Sequence, residues 1–202
     1  MLDTTAWTTR TQTRPAAHSP TVAMLASLGS GRHLLDLSGR LALGWMGRLA
    51  AALADRRVNI VSARARQGAP RQWVAAFELE PVDPGLDLAA LDFVSFAALQ
   101  PARPPALEPR LRSYRLERTE GGLRVELRAD DQLGFLDGIL RTFAACGLFP
   151  DEMLVETRDG EARDAFVLRG IGGSEPPRAI REALDARLAR LARRAAPGAR
   201  SR

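Results

Sequence analysis

Residues 123–147 read LRVELRADDQLGFLDGILRTFAACG, and this stretch changes period partway. Leu123, Val125 and Leu127 alternate with charged residues, the mark of a half-buried strand. From Phe135 the apolar residues Leu136, Ile139, Leu140 and Phe143 recur at helical spacing. Between the two patterns stands Gly134, at the point where the helix should begin, although glycine costs roughly 1 kcal/mol against alanine inside a helix. Its use becomes clear from an earlier segment, HLLDLSGRLALGWMGRLAAALADRRVNI, residues 33–60. Placing Gly44 over Gly134 gives an offset of 134 − 44 = 90 that runs without a gap from the first strand through the helix. Leu35 and Leu37 answer to Val125 and Leu127, and Trp45, Met46, Leu49 and Leu53 to Phe135, Leu136, Ile139 and Phe143.

After each helix the sequence calls for two strands joined by a turn. In the first copy Gln67-Gly68-Ala69-Pro70 separates Ile60–Arg66 from Trp73–Leu79; in the second, Asp159-Gly160 separates Met153–Thr157 from Ala165–Leu168. A second helix follows each pair. The first copy offers 86–99, a proline-rich passage, and a last strand around Tyr114 and Leu116. The second offers Ser174 as N-cap, Pro176 and Pro177 in the first turn, and the stripe Ile180, Leu184, Leu188 and Leu191. The expected order is βαββαβ followed by βαββα. This is an α+β fold of two ferredoxin-like units, each an antiparallel sheet with helices on one face. The last strand of the second unit is missing, and the β-prone TAWTTRTQT at 5–13 is a candidate to cover that edge. The domain reading is a mobile Thr/Ser/Pro/Gly-rich arm at 1–30, repeat one at 31–118, repeat two at 121–195 and a basic tail at 196–202.

Composition excludes several functions. All 29 basic residues are arginine, the net charge is +5, and 46% of the 202 residues are hydrophobic, enough for a core. Eight arginines fall between Arg178 and Arg202, but without interleaved aromatics to stack on bases they read as a solvated helix face rather than a nucleic-acid surface. No run approaches the roughly 18 apolar residues of a membrane span, and the polar N-terminus fits a secretory signal poorly, so a cytoplasmic protein is expected. Cys146 stands alone among apolar neighbours and reads as an inert core thiol. His18 and His33 form no cluster with metal-ligand spacing, and no nucleophile motif is present; neither metal, cofactor nor catalysis is expected. The loop GIGGSEPP lacks the spacing of a phosphate cradle.

The strand, the Asp-x-x-Gly loop of Asp131 and Gly134, the helix, and the "VNI" of Val58-Asn59-Ile60 together resemble the ACT domain, a small amino-acid-sensing module of bacterial regulators and metabolic enzymes. In that family the loop glycine and the isoleucine opening the second strand span seventeen positions, counting both ends, as do Gly44 to Ile60 and Gly134 to Pro150. The second copy, with TRDGEARDAFVLRG, is most similar to the ACT pair at the C-terminus of the PII-modifying uridylyltransferases. The tandem layout is similar to the two-ACT repressor of the glycine cleavage system. The chain departs from the family at Leu41, where the loop acid belongs, at Arg57, where the helix-ending glycine belongs, and at Phe149, where the asparagine belongs.

The resemblance implies a non-catalytic regulatory module that binds a free amino acid between its repeats and reports to a protein partner or to a second copy in a homodimer. The alternative is an ACT-type interaction module without a ligand. The implied ligand-binding residues are Asp131, Gly134, Asn59 and Gly44. If the copies pair pseudosymmetrically, Asp131 and Gly134 face Asn59, while Leu41 and Gly44 meet Phe149 in an apolar, blind corner. Asp131 and Gly134 also have plain structural readings, as a helix cap and a tight contact, and Asp164 reads as the partner of a nearby arginine.

Overall fold

The computed structural model describes residues 20–69, 71–98 and 108–195. Its strands are β1 (Val22–Gly29), β2 (Arg32–Arg40), β3 (Val58–Ala69), β4 (Gln72–Pro81), β5 (Leu111–Thr119), β6 (Gly122–Asp130), β7 (Leu148–Arg158) and β8 (Glu161–Gly170). Four α-helices join them: α1 (Trp45–Asp55), α2 (Phe93–Ala98), α3 (Phe135–Ala144) and α4 (Arg178–Ala195). The strands form one antiparallel sheet of eight, in the order β1-β2-β4-β3-β7-β8-β6-β5. Each half is a ferredoxin-like unit, and the halves are joined where β3 pairs with β7.

The register at that seam is symmetric. Arg64 lies opposite Leu154, its own counterpart under the offset of 154 − 64 = 90, while Ser62↔Glu156 and Arg66↔Glu152 exchange places about it. Bulges interrupt β3 between Ile60 and Ser62 and β7 between Pro150 and Glu152, again at matching positions. The repeat is therefore built around a pseudo-twofold axis through the β3–β7 pair. That axis sets α1 beside α3.

The strand order within each unit departs from the sequence reading. The strand around Tyr114 and Leu116, expected to end repeat one, is β5, and it pairs with β6 instead. The end of the expected arm, Val22–Gly29, is β1 and pairs with β2. Each half thus runs ββαββα, its edge strand first in sequence rather than last. The physical reason is short-range closure. Gly29-Ser30-Gly31 and Glu120-Gly121 make tight hairpin turns, with positive φ at Gly29, Ser30, Gly31 and Gly121. Each edge strand therefore folds onto the strand that follows it. No strand is missing from the second half, and TAWTTRTQT at 5–13 lies outside the described residues.

The helix expected over 86–99 is also shorter. Asp87 accepts from the Ala89 amide and nucleates a 3-10 turn, Leu88–Ala90. Asp92 accepts from the amide and hydroxyl of Ser95 and starts α2 separately. Ser174 does not cap α4; its hydroxyl donates to the Ile171 carbonyl, and the helix begins at Arg178.

The helices cover one face of the sheet. Trp45 of α1 packs edge-on against Trp73 and Phe77, with centroids 5.5 and 6.1 Å away; Phe143 of α3 meets Phe166 at 5.1 Å. Leu35, Leu37, Leu123, Val125 and Leu127 fill the inward positions beneath them. Cys146 is buried, which pushes its thiol above the ordinary value, in keeping with an unreactive core residue. No described helix is long and apolar enough to cross a membrane.

Candidate functional site

Gly134 is the N-cap of α3 with φ 84° and ψ 2°, and Gly44 holds the same place on α1 with φ 78° and ψ 8°. This is left-handed backbone, costing a residue with a Cβ roughly 1–2 kcal/mol, and it explains a glycine at the start of each helix. Crowding is not the reason: a Cβ on Gly134 would sit 3.6 Å from the Ala54 Cβ, an ordinary contact. No side chain caps α3. The Phe135 amide donates to the Gln132 carbonyl at 2.9 Å, and those of Leu136 and Asp137 are left for an outside acceptor, in a position that favours negative charge.

The reading of Asp131 as a helix cap is therefore overturned. Its amide donates to the Gly160 carbonyl at 2.8 Å, and its carboxylate accepts a long hydrogen bond, 3.4 Å, from the Thr157 hydroxyl of β7. Asp131 lies in the β6–α3 loop beside a cleft that opens to solvent. Its lining includes Asp131, Gln132 and Gly134 at the entry to α3, Val58, Asn59 and Ile60 of β3, Ala50 and Ala54 of α1, Thr157 of β7 and Asp164 of β8. The junction thus brings together three of the four residues singled out in the sequence. The fourth, Gly44, lies in the reciprocal corner.

That corner is filled. A Cβ on Gly44 would meet the Arg48 guanidinium at 3.4 Å and the Phe149 ring at 3.9 Å. Arg48 donates to the carbonyls of Ala97 (2.8 Å), Leu43 (2.9 Å) and Ala42 (3.4 Å), and Leu41 is buried. The corner thus holds a hydrogen-bonded arginine as well as apolar side chains. The counterpart of Arg48 ninety positions on is Gly138, and that of Phe149 is Asn59, so the open corner carries smaller residues at both places.

Two of the three buried polar side chains among the described residues line the cleft: Asp137 and Asp164. Asp137 is satisfied by Arg141 Nε at 2.8 Å, one turn along α3. Asp164 is not. It is 2% exposed, and neither carboxylate oxygen has a hydrogen-bond partner. The arginine expected to hold it is absent among the described residues, because Arg163 beside it turns to the other face and pairs with Glu161. Burial drives the Asp164 carboxyl up to about 8; the Glu156 amide draws it back, without reaching hydrogen-bond geometry, and Asp131 raises it further. The sequence reading made this residue an arginine's partner, although an acid at an inward strand position, between Ala162 and Phe166, was the available signal for another role.

No family model matches the chain, and no curated protein is similar to it at a significant level. Among solved structures, an aspartate kinase from Synechocystis is similar over 70% of this chain and 24% of its own, at 16% identity and a TM-score of 0.41. A likeness of that size carries no argument about function, and the α+β fold of two ferredoxin-like units stands on this chain's own sheet and register.

Proposed function

We propose that the chain is a non-catalytic, ACT-type regulatory module that binds one free amino acid in the cleft between its two halves and passes that occupancy to a protein partner or a second copy. The observation that carries this reading is the convergence of Asn59 from one half with Asp131 and Gly134 from the other on a single cleft. The ligand's carboxylate meets the uncapped N-terminus of α3. Its ammonium goes to Asp131, and Asn59 supplies a donor and an acceptor from across the seam. The filled corner at Gly44 and Phe149 makes the stoichiometry one per chain. A ligand spanning the β3–β7 junction favours whichever arrangement of the halves fits it better, and by no more than its difference in affinity.

Calorimetry and thermal shift with the twenty L-amino acids test this. At about 100 times its dissociation constant a ligand adds roughly 2.7 kcal/mol. At roughly 2–4 °C per kcal/mol for a chain of this size, that is a readable shift. Asn59→Ala and Asp131→Ala should each remove the same binding event. A stoichiometry of two, or indifference to both substitutions, would refute the composite site.

One observation favours the alternative, an association module without a ligand. On the sheet face opposite the helices, Val22 and Met24 of the edge strand β1 are exposed, and Val74 of β4 is exposed in the row of Val22, with Ser38 of β2 between them. Under that reading Met24→Arg changes the sedimentation behaviour and no amino acid shifts the melting temperature.

A further inference from the structure

We infer that Asp164 is a ligand-binding residue of the cleft, taking the effector's primary ammonium jointly with Asp131 and giving up a proton as it does so. This rests on the amino-acid reading above and adds to it the residue and the charge that select the ligand.

Three observations carry it. First, Asp164 is almost wholly buried, without a partner, and part of the cleft wall. A buried polar group left unmade is costly, so its persistence asks for a partner that is present only some of the time. Second, the fold does not need an acid there. β4 and β8 follow an offset of 161 − 72 = 89, which makes Ala75 the counterpart of Asp164. Ala75 is buried at the same inward position, so the first half does without an acid there. The loop acid repeats the pattern, Asp131 against buried Leu41. Both carboxylates thus occur in the half whose corner is open and in neither place where the corner is filled.

Third, the surroundings suit a cation. The charged groups facing Asp164 are Asp131 from the β6–α3 loop and Asp137 from α3, the latter already paired with Arg141. α1 presents Ala50 and Ala54, β3 presents Val58, Asn59 and Ile60, and β7 presents Val155 and Thr157; no basic residue lines the cleft, in a chain with 29 arginines. Asp131 is close enough to act on the charge of Asp164. An ammonium has three donors and can serve both carboxylates at once. With the cleft empty, Asp164 holds its proton at neutral pH. An arriving ammonium stabilises the carboxylate, and that proton leaves to solvent.

The test is calorimetry with whichever of the twenty L-amino acids raises the melting temperature, at pH 7 in buffers of different ionisation enthalpy. Wild type should release close to one proton per ligand bound, and its affinity should rise up to about tenfold per unit between pH 6 and pH 8. Asp164→Asn should release none, lose the pH dependence and bind roughly 10–100-fold more weakly. The deaminated analogue of the same amino acid should not bind wild type. Binding without proton release and unaffected by Asp164→Asn overturns this inference and leaves the amino-acid reading intact. Binding that weakens as pH rises through 8 also overturns it, because Asp164 would then be serving as a donor. If no amino acid shifts wild type or variant, the amino-acid reading itself falls, and this inference with it.

Discussion

Asp164 and Ala75 occupy the same point in the two halves of the molecule, inward on the fourth strand of each unit, and both are buried. The pair is an internal comparison. One half shows what the fold requires at that point, and the other shows what has been added.

The addition carries a pH signature even without ligand. The folded chain holds the Asp164 proton up to about 8, against 3.8 for an ordinary aspartate. A folded pKa raised above the unfolded one means stability that is complete at low pH and is lost as pH rises through the folded value. Between about 4 and 8 the unfolded chain gives up a proton that the folded chain keeps, so stability falls with pH and levels off above 8. Asp164→Asn removes this term alone. Its melting temperature relative to wild type should therefore climb from pH 5 to pH 9, and melts at both pH values check it. A constant difference would mean that Asp164 titrates normally.

Gly134→Ala isolates backbone conformation from crowding. The added methyl has room beside Ala54, but φ of 84° does not suit an alanine. A loss of about 1–2 kcal/mol is expected from denaturant unfolding, with an unchanged m-value. Any effect on ligand binding then reports a shifted α3 N-terminus.

Arg57 offers the converse experiment. It occupies the helix-ending position that Gly147 fills in the second half, and both adopt positive φ, 56° and 69°. The fold has kept the left-handed turn and lost the residue that suits it. Arg57→Gly should raise stability by about 0.5–1 kcal/mol, the left-handed penalty less the entropy glycine brings to the unfolded chain. Thermal melts would show a rise of a few degrees.

These positions also explain how much of the molecule was legible in the sequence. The repeat, the sheet and the starts of α1 and α3 followed from periodicity and a constant offset, because inward positions and left-handed glycines leave local marks; the facing of Asn59 with Asp131 and Gly134 was implied by the ACT resemblance. The order of strands within each unit did not. β5 has the alternation of any edge strand, and that alternation does not say whether it pairs backward with the first half or forward with β6. The short turn at Glu120-Gly121 decides it, and the same holds for β1 at Gly29-Ser30-Gly31. Asp164 was misread for a related reason: an arginine adjacent in sequence, Arg163, points to the opposite face of a strand.

Arg48 distinguishes the two corners by experiment. It closes the Gly44 corner with donations to the carbonyls of Ala97, Leu43 and Ala42, linking α1, α2 and the β2–α1 loop. Partial burial takes water from its guanidinium and lowers its pKa from the ordinary value, and the carbonyl oxygens it donates to offset that loss. Arg48→Met keeps much of the packing and removes the donors, at a cost of about 1–3 kcal/mol. The melting temperature should fall by several degrees, as thermal melts will show. The shift induced by an amino acid should be preserved, since Arg48 takes no part in the cleft at Asp131. Loss of that shift would mean that the two corners are coupled through α1, whose Ala50 and Ala54 line the open one.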